Sequence, residues 1–404
     1  MFYMASLILK PGRDKSLLKR HPWVFSGAVG AIDGEPLSGE TVGINSARGD
    51  FLAWAAYSPY SQIRARVWSW EEKDVIDEAF FSRRLLRAIS KRQVDTSQES
   101  AVNSLSAMRL VHAESDNLPG LIIDRYSDTL VVQILSAGME TWRETITDLA
   151  VKITRIGQVY ERSDVDVRIQ EGLPLRSGVS RGDEPSEVVQ INENGLLFFV
   201  DIRNGHKTGF YLDQRVNRSR MRNLAGSKET LDCFCYTGGF TSNLLAGGAA
   251  SVVAIDSSLD AIQLGKKNIS INNLPSEKVD WINGDVFYVL RSFRDARRTF
   301  DLIILDPPKF AQTASQVEKA SRGYKDINLL ALKLLRPGGI LATFSCSGGI
   351  SEDLFQKIVA GAALDAKVDA QILERLHQAP DHPTALNFPE GAYLKGFIIQ
   401  TFPK

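Results

Sequence analysis

Apolar and polar positions along this chain change rhythm twice. Up to about residue 70, short apolar stretches alternate with Gly, Pro, Asp and Ser, giving strand candidates at Leu7–Leu9, Thr41–Ile44, Phe51–Tyr57 and Ile63–Trp68. Runs of this length bounded by turn formers predict a small β-barrel or sandwich. Over Asp74–Lys91 the spacing becomes helical, with Ile76, Phe80, Leu85, Leu86 and Ile89 as its apolar positions. Leu121–Asp124 and Leu130–Leu135 flank Arg125–Thr129 as a hairpin, Met139–Ile153 reads as a helix and Gln158–Glu161 as a strand. This middle block predicts a compact α+β unit. The polar stretch Arg176–Glu187, with three Ser, two Gly and a Pro, reads as a linker.

From about Val188, strands alternate with helices. The strands are expected at Thr230–Phe234, Ser251–Ile255, Val279–Ile282, Leu302–Leu305, Ile340–Phe344 and Phe397–Phe402. The helices are expected at Phe240–Ala246, Leu259–Asn272, Asp285–Phe293, Lys325–Leu335 and Ser351–Ala366. Short apolar strands separated by helices predict an α/β domain with a parallel sheet covered on both faces. In such sheets ligands bind beyond the carboxyl ends of the strands. The chain divides on this reading into residues 1–72, 73–187 and 188–404.

A chain of 404 residues is long enough for two or three cores. At 44% hydrophobic and 24% charged it has a globular composition, and no apolar run reaches the ~18–20 residues of a membrane span. Met1–Leu9 lacks a basic leader and a cleavage site, so a signal peptide is not expected and the cytoplasm is the default location. Three cysteines (Cys233, Cys235, Cys346) fit a reducing compartment, and no ligand-spaced cluster predicts a metal. The charges balance at 48 basic and 48 acidic residues, which excludes a wholly basic coat but not a local RNA-binding patch. Lys10, Arg13, Lys15, Lys19, Arg20 and His21 ahead of Trp23, with Arg64 and Arg66, form one candidate patch. A solvated basic face is the alternative.

The chemistry concentrates in three segments. In Asp232-Cys-Phe234-Cys-Tyr236-Thr237-Gly238-Gly239, a strand runs into a glycine turn before a helix, where backbone can approach a ligand closely. The next strand ends at Asp256, placed to accept ribose hydroxyls. The loop lacks the G-x-G-x-x-G pattern that cradles a pyrophosphate, so a nucleoside without phosphates is expected and S-adenosylmethionine (SAM) fits; a plain glycine turn with two surface acids is the alternative. Asp232 is assigned to its ammonium group, and Asp285 to the adenine amine, with Val286 and Phe287 against the ring.

The second segment, Asp306-Pro307-Pro308-Lys309-Phe310, ends a buried strand in a rigid turn whose carbonyls can accept from a flat, amine-bearing base. Asp306 can bind or protonate ring N3 and is also expected to border the cofactor, while Lys309 and Phe310 suit phosphate and base face. A simple strand stop is the alternative. The third segment places Cys346 between Ser345 and Ser347 at a strand end. A lone cysteine is usually a buried hydrophobe. Beside a methyl donor and a base clamp, a thiol instead suits methylation of cytosine C5, because thiolate addition at C6 makes C5 nucleophilic. An ordinary thiol with pKa near 8.5 is only a few per cent ionised at pH 7, so a nearby cation must help. Lys309, Arg322 and Lys325 are the candidates. Cys233 and Cys235 read as packing residues.

The chain resembles, nearly end to end, the ribosomal RNA large-subunit methyltransferase I family. The resemblance rests on His21-Pro-Trp-Val-Phe-Ser-Gly27 and Ser61-Gln-Ile-Arg-Ala-Arg66, on Glu114-Ser-Asp-Asn-Leu-Pro-Gly120 and Glu161-Arg-Ser-Asp164, and on Gly205-His-Lys-Thr-Gly-Phe-Tyr-Leu-Asp-Gln-Arg215. Cys235-Tyr-Thr-Gly-Gly-Phe240, Asp306-Pro-Pro-Lys-Phe310, Arg322-Gly-Tyr-Lys-Asp-Ile-Asn328 and Phe344-Ser-Cys-Ser347 complete it. It implies an N-terminal PUA domain for RNA, a central domain and a Rossmann-like catalytic domain. It also implies SAM-dependent 5-methylcytosine formation in large-subunit ribosomal RNA, Cys346 as nucleophile, and Arg322, Tyr324 and Lys325 near the substrate. In another group of RNA 5-methylcytosine enzymes a second cysteine precedes the Asp-Pro-Pro equivalent and assists release. Leu305 holds that place here, so another base must act. An adenine or cytosine N-methyltransferase and an inactive assembly factor are the rival readings. The oligomeric state is left open, a homodimer included.

Overall fold

The computed structural model describes residues 5–96, 106–311 and 316–402, without the side chains of 93–96. Two compact units divide the chain. One comprises Met1–Ile191, Val200–Leu212 and Pro380–Gly391, the other Asn192–Phe199, Asp213–Ala379 and Ala392–Lys404.

The first unit holds two sheets. A six-stranded sheet runs in the order Trp23–Phe25, Ile63–Ser69, Phe51–Tyr57, Thr41–Asn45, Ser6–Leu9, Val29–Asp33. Its alternating Leu7, Leu9, Val42, Ile44, Ala55 and Val67 form the core beneath it. A five-stranded sheet follows, ordered Arg176–Arg181, Gln158–Ser163, Thr129–Ile134, Leu121–Tyr126, Ala107–His112. The helices Glu78–Thr96 and Arg143–Thr154 accompany it. Three expectations change here. Arg176–Arg181 is not a linker but an edge strand, paired through its backbone with Gln158–Ser163 while its polar side chains face solvent. The first helix starts at Glu78 because the Asp77 carboxylate accepts the Phe80 N–H at 2.8 Å, capping it there. The expected Met139–Ile153 helix is two, Ala137–Thr141 and Arg143–Thr154, meeting at Trp142.

The second unit is built on a seven-stranded sheet: Glu229–Cys233 (β1), Ser251–Asp256 (β2), Val279–Asn283 (β3), Phe300–Leu305 (β4), Leu335–Ser345 (β5), Ala370–Leu376 (β6) and Lys395–Thr401 (β7). The order is β3-β2-β1-β4-β5-β7-β6. Strands β1 to β5 pair in parallel, whereas β7 runs antiparallel to both β5 and β6. The purely parallel expectation therefore fails at the carboxyl end of the chain. Helices Gly239–Ala246 (α1), Leu259–Ile271 (α2), Val286–Asp295 (α3), Val317–Leu334 (α4) and Glu352–Ala366 (α5) complete the layers. Strand order reverses at β1, so a crevice opens beyond its carboxyl end. Register brings the three informative segments there: Cys233 pairs with Leu305, and Leu305 with Thr343. The glycine loop, the Asp-Pro-Pro turn and the Cys346 loop thus leave adjacent strands at one level.

Candidate active site

The loop after β1 adopts left-handed backbone at Phe234 (φ 64°), Tyr236 (φ 48°) and Gly238 (φ 73°). Two of these are not glycine, and such residues cost on the order of 1–2 kcal/mol each. The surroundings hold them in place: Cys235 N–H donates to Ile255 O at 3.0 Å, Tyr236 N–H to Asp256 Oδ2 at 2.8 Å, and Asn268 Nδ2 to Thr237 O at 3.0 Å. Gly238 and Gly265 are needed for close approach, since a Cβ would come within 3.0 Å and 2.7 Å of the Trp281 ring respectively.

Asp256 receives Tyr236 N–H on one oxygen and Ser258 N–H at 2.9 Å on the other, which fixes its carboxylate at the crevice. Asp285 caps α3 by accepting Tyr288 N–H at 2.9 Å, with its side chain exposed. Val286 is buried and Phe287 half-buried beside it. Asp232 is fully buried and accepts the Thr241 hydroxyl at 2.7 Å through Oδ2. Among the described residues, Asp232 Oδ1, Thr237 Oγ1 and Ser242 Oγ are buried without hydrogen-bond partners. Buried polar groups left in that state are costly, and three around one glycine loop fit a polar ligand seated there.

Burial pushes the Asp232 carboxyl up from 3.8 to about 7, against the hydrogen bonds from Thr241 and with a small addition from Asp256. The folded state thus holds a proton that the unfolded chain releases near pH 4. Stability drawn from this group is full below that pH and is lost as pH rises through about 7. Asp232→Asn is expected to flatten that slope, raise the melting temperature of the ligand-free protein at pH 8 and weaken SAM binding. Thermal melts across pH and calorimetric SAM titrations check both signs. Wild type should release protons on binding SAM near pH 7, and the variant should not.

Across the crevice, Asp306 Oδ1 accepts Gln214 Nε2 at 2.9 Å, and Gln214 Oε1 accepts Asn217 Nδ2 at 2.6 Å. Pro307 is buried, while Pro308 and Lys309 are exposed. Half-buried Cys346 directs Sγ at Pro307 O at 4.0 Å, so the thiol and the Asp-Pro-Pro turn meet. The Cys346 loop is braced from beneath. Ser347 Oγ receives Ala311 N–H at 3.1 Å and lies 3.0 Å from Tyr324 Oη, and the Tyr324 ring packs 4.7 Å from Phe310. Lys395 Nζ donates to Ser347 O and Ile350 O, both at 2.8 Å.

Several expected roles move. Tyr324 is fully buried, so it supports the Cys346 loop rather than touching substrate. Arg322 is exposed and ion-paired with Glu318, and Lys325 pairs with Asp365 at 2.8 Å; neither is brought to Cys346. Both sit on α4, whose spacing turns them away from the buried Tyr324 face. Cys233 and Cys235 are packing residues, and burial, aided by Asp232, raises both thiols well above the usual range. Gln214 and Lys395 were missed. The Asp213-Gln214-Arg215 run carried the only signal for the first, and a lysine opening the apolar run Gly396–Ile399 the only one for the second.

In the first unit the N-terminal patch splits. Lys19 and Arg20 are exposed, with Arg20 4.0 Å from Glu71. Arg64 is half-buried and donates to Pro59 O. Trp23 donates to Glu114 at 2.9 Å and packs 4.8 Å from Phe388. Arg66 is buried, 2.8 Å from Glu171 and 3.8 Å from Glu114. Glu171 also receives the Ser58 hydroxyl at 2.5 Å and Ala137 N–H at 3.2 Å. Arg66 is therefore structural, because its guanidinium is already engaged inside the fold, and the Trp23 N–H is likewise taken up by Glu114. Arg66→Ala leaves Glu171 buried without its cation and is expected to cost about 3–5 kcal/mol in denaturant unfolding.

The described residues contain no group of His, Cys, Asp and Glu that could hold a metal, and none of their helices is long and apolar enough to cross a membrane. The S-adenosylmethionine-dependent methyltransferase family matches residues 175–398, and a PUA-like domain matches residues 7–70. The molecule is a SAM-dependent methyltransferase carrying a PUA-like domain. Proteins named ribosomal RNA large subunit methyltransferase I from Yersinia pseudotuberculosis and Yersinia pestis are each 51% identical over 394 residues, covering 98% of this chain and 98% of theirs. The chain belongs to that family. A methyltransferase solved with SAH matches with TM-score 0.85 at 23% identity, over 98% of this chain and 99% of its own. A Streptococcus mutans protein described as a SAM-dependent methyltransferase matches at 0.83, with the same identity and coverage. These two show the shared fold.

Proposed function

We propose that the protein methylates C5 of one cytidine in large-subunit ribosomal RNA through a transient adduct between Cys346 and C6. The observation that carries this reading is the approach of Cys346 Sγ to the Asp306-Pro307-Pro308 turn, beside the SAM loop. The ribosomal RNA substrate is taken from the names of the Yersinia relatives. Bound SAM supplies an electrophilic methyl group, held through Asp232, Asp256 and Asp285.

The Cys346 thiolate forms a bond to C6, and the electron pair of the C5–C6 double bond moves into the ring. Asp306 shares a proton with N3, where charge gathers. C5 then takes the methyl group as its bond to the donor sulfur breaks and a neutral thioether is left, a base removes the C5 proton, and the re-forming double bond expels the thiolate. The target base must leave its stack, at a cost of a few kcal/mol. Lys309 and Phe310 flank it, and the PUA-like domain holds RNA through backbone and shape contacts.

Bisulfite sequencing of ribosomal RNA from cells lacking the gene, complemented with wild type or Cys346→Ala, tests the reading. One 5-methylcytosine should vanish on deletion and return only with wild type. Survival of every 5-methylcytosine overturns it, and nucleoside mass spectrometry would then reveal any N-methyl product. Lys19→Glu is expected to weaken RNA binding and lower its log–log salt slope by about one, read by filter binding at several salt concentrations.

A further inference from the structure

We propose that Lys395 is the positioning residue for the nucleophile, its ammonium both clamping the Cys346 loop and holding the thiol as thiolate. This rests on the assignment of Cys346 given above. Lys395 lies on β7 directly opposite Ser345 of β5, one residue before the thiol. Its side chain is buried, a rare place for a lysine, and none of the described carboxylates forms an ion pair with it. Two of its three N–H groups are spent on the carbonyls of Ser347 and Ile350, the two ends of the turn that follows Cys346. Ile350 N–H closes the same turn on Ser347 O at 3.1 Å. Pulling both carbonyls onto one ammonium fixes where Cys346 leaves the strand.

The charge is the second part. Carbonyl acceptors alone leave a buried cation short of a counter-charge, and Cys346 is the foremost group favouring the charged form of Lys395. Burial, with Lys309 adding to it, lowers the lysine to about 8 against the support of Cys346 and Glu352, so it remains largely an ammonium at pH 7. Tyr324, also titratable and packed against this loop, is raised by burial and stays neutral. An ammonium beside a thiol favours the thiolate. Lys309, Arg322 and Lys325, the cations the sequence suggests for this role, are respectively exposed, paired with Glu318 and paired with Asp365.

Iodoacetamide alkylation of Cys346, followed by peptide mass spectrometry across pH in the full-length protein, tests this without RNA. In wild type the midpoint should lie below that of cysteine in an unstructured peptide; a midpoint at or above it overturns the proposal with no variant needed. Lys395→Gln should move the midpoint up by about one unit and slow alkylation at pH 7 about tenfold, with SAM affinity retained, while Lys395→Arg restores most of the rate. An unchanged profile in a folded Lys395→Gln protein also overturns it. If Cys346→Ala still methylates RNA while Lys395→Gln shifts the profile, the nucleophile assignment falls and the ion pair stands.

Discussion

Cys346→Ala is expected to lower kcat for RNA methylation by at least about 10⁴-fold while changing SAM affinity by less than about twofold. The size follows from the chemistry. Without a C6 adduct, C5 has too little electron density to attack a methyl sulfonium, and removal of a covalent nucleophile typically costs several orders of magnitude. No other thiol can substitute, because Cys233 and Cys235 are buried packing residues held protonated by their surroundings. SAM affinity is spared because Cys346 lies on the Asp306 side of the crevice, against Pro307, whereas the orphaned polar atoms cluster at Asp232, Thr237 and Ser242. Methyl transfer from labelled SAM gives kcat. RNA carrying 5-fluorocytidine at the target gives a second readout, since a fluorine at C5 blocks the final elimination. Wild type should form a denaturation-stable adduct and the variant none. An adduct mapped to another residue would sink the assignment.

The parts of this architecture that were legible in the sequence are those where one physical demand dominates. Apolar runs closed by Asp located β2 and β4, because buried parallel strands tolerate little else, and β1 was located by the glycine loop that follows it. The glycine loop was legible because Gly238 must take a left-handed φ against Trp281. Strands that break the apolar rule were not. Ala107–His112 hides Arg109 in its middle, acceptable only because Arg109 makes a bidentate pair with buried Asp124 at 2.7 and 2.8 Å. Ala370–Leu376 is a half-exposed edge whose alternation is diluted by Gln371, Glu374 and Arg375. Basic residues misled for a related reason. Charge alone does not say whether Arg66 faces RNA or Glu171, and only the fold supplies the buried carboxylate that decides it. Lys395 and Gln214 act through register and long-range approach, which no local pattern encodes.

Asp306→Asn is expected to lower kcat by about 10²–10⁴-fold, the range for a positioned proton-sharing group, with SAM affinity little changed. The substitution keeps the shape and an amide oxygen that can still accept from Gln214 Nε2. What is lost is the group that accommodates charge at N3 when the thiolate adds to C6. Gln214→Ala is the informative partner. It leaves the carboxylate in place but removes the 2.9 Å hydrogen bond that aims it and breaks the link onward to Asn217, which itself donates to His377 O at 3.1 Å. Misorientation without loss of the reacting group should cost about tenfold in kcat, well short of the Asp306→Asn loss. Combining the two should cost little more than Asp306→Asn alone, because the glutamine acts through the carboxylate and coupled residues are not additive. Single-turnover methylation at one pH separates the cases: the loss in Gln214→Ala should be partial, and the loss in Asp306→Asn at least about tenfold larger. An Asp306→Asn protein that keeps the wild-type single-turnover rate would assign N3 to another group and leave Asp306 as a structural end to β4.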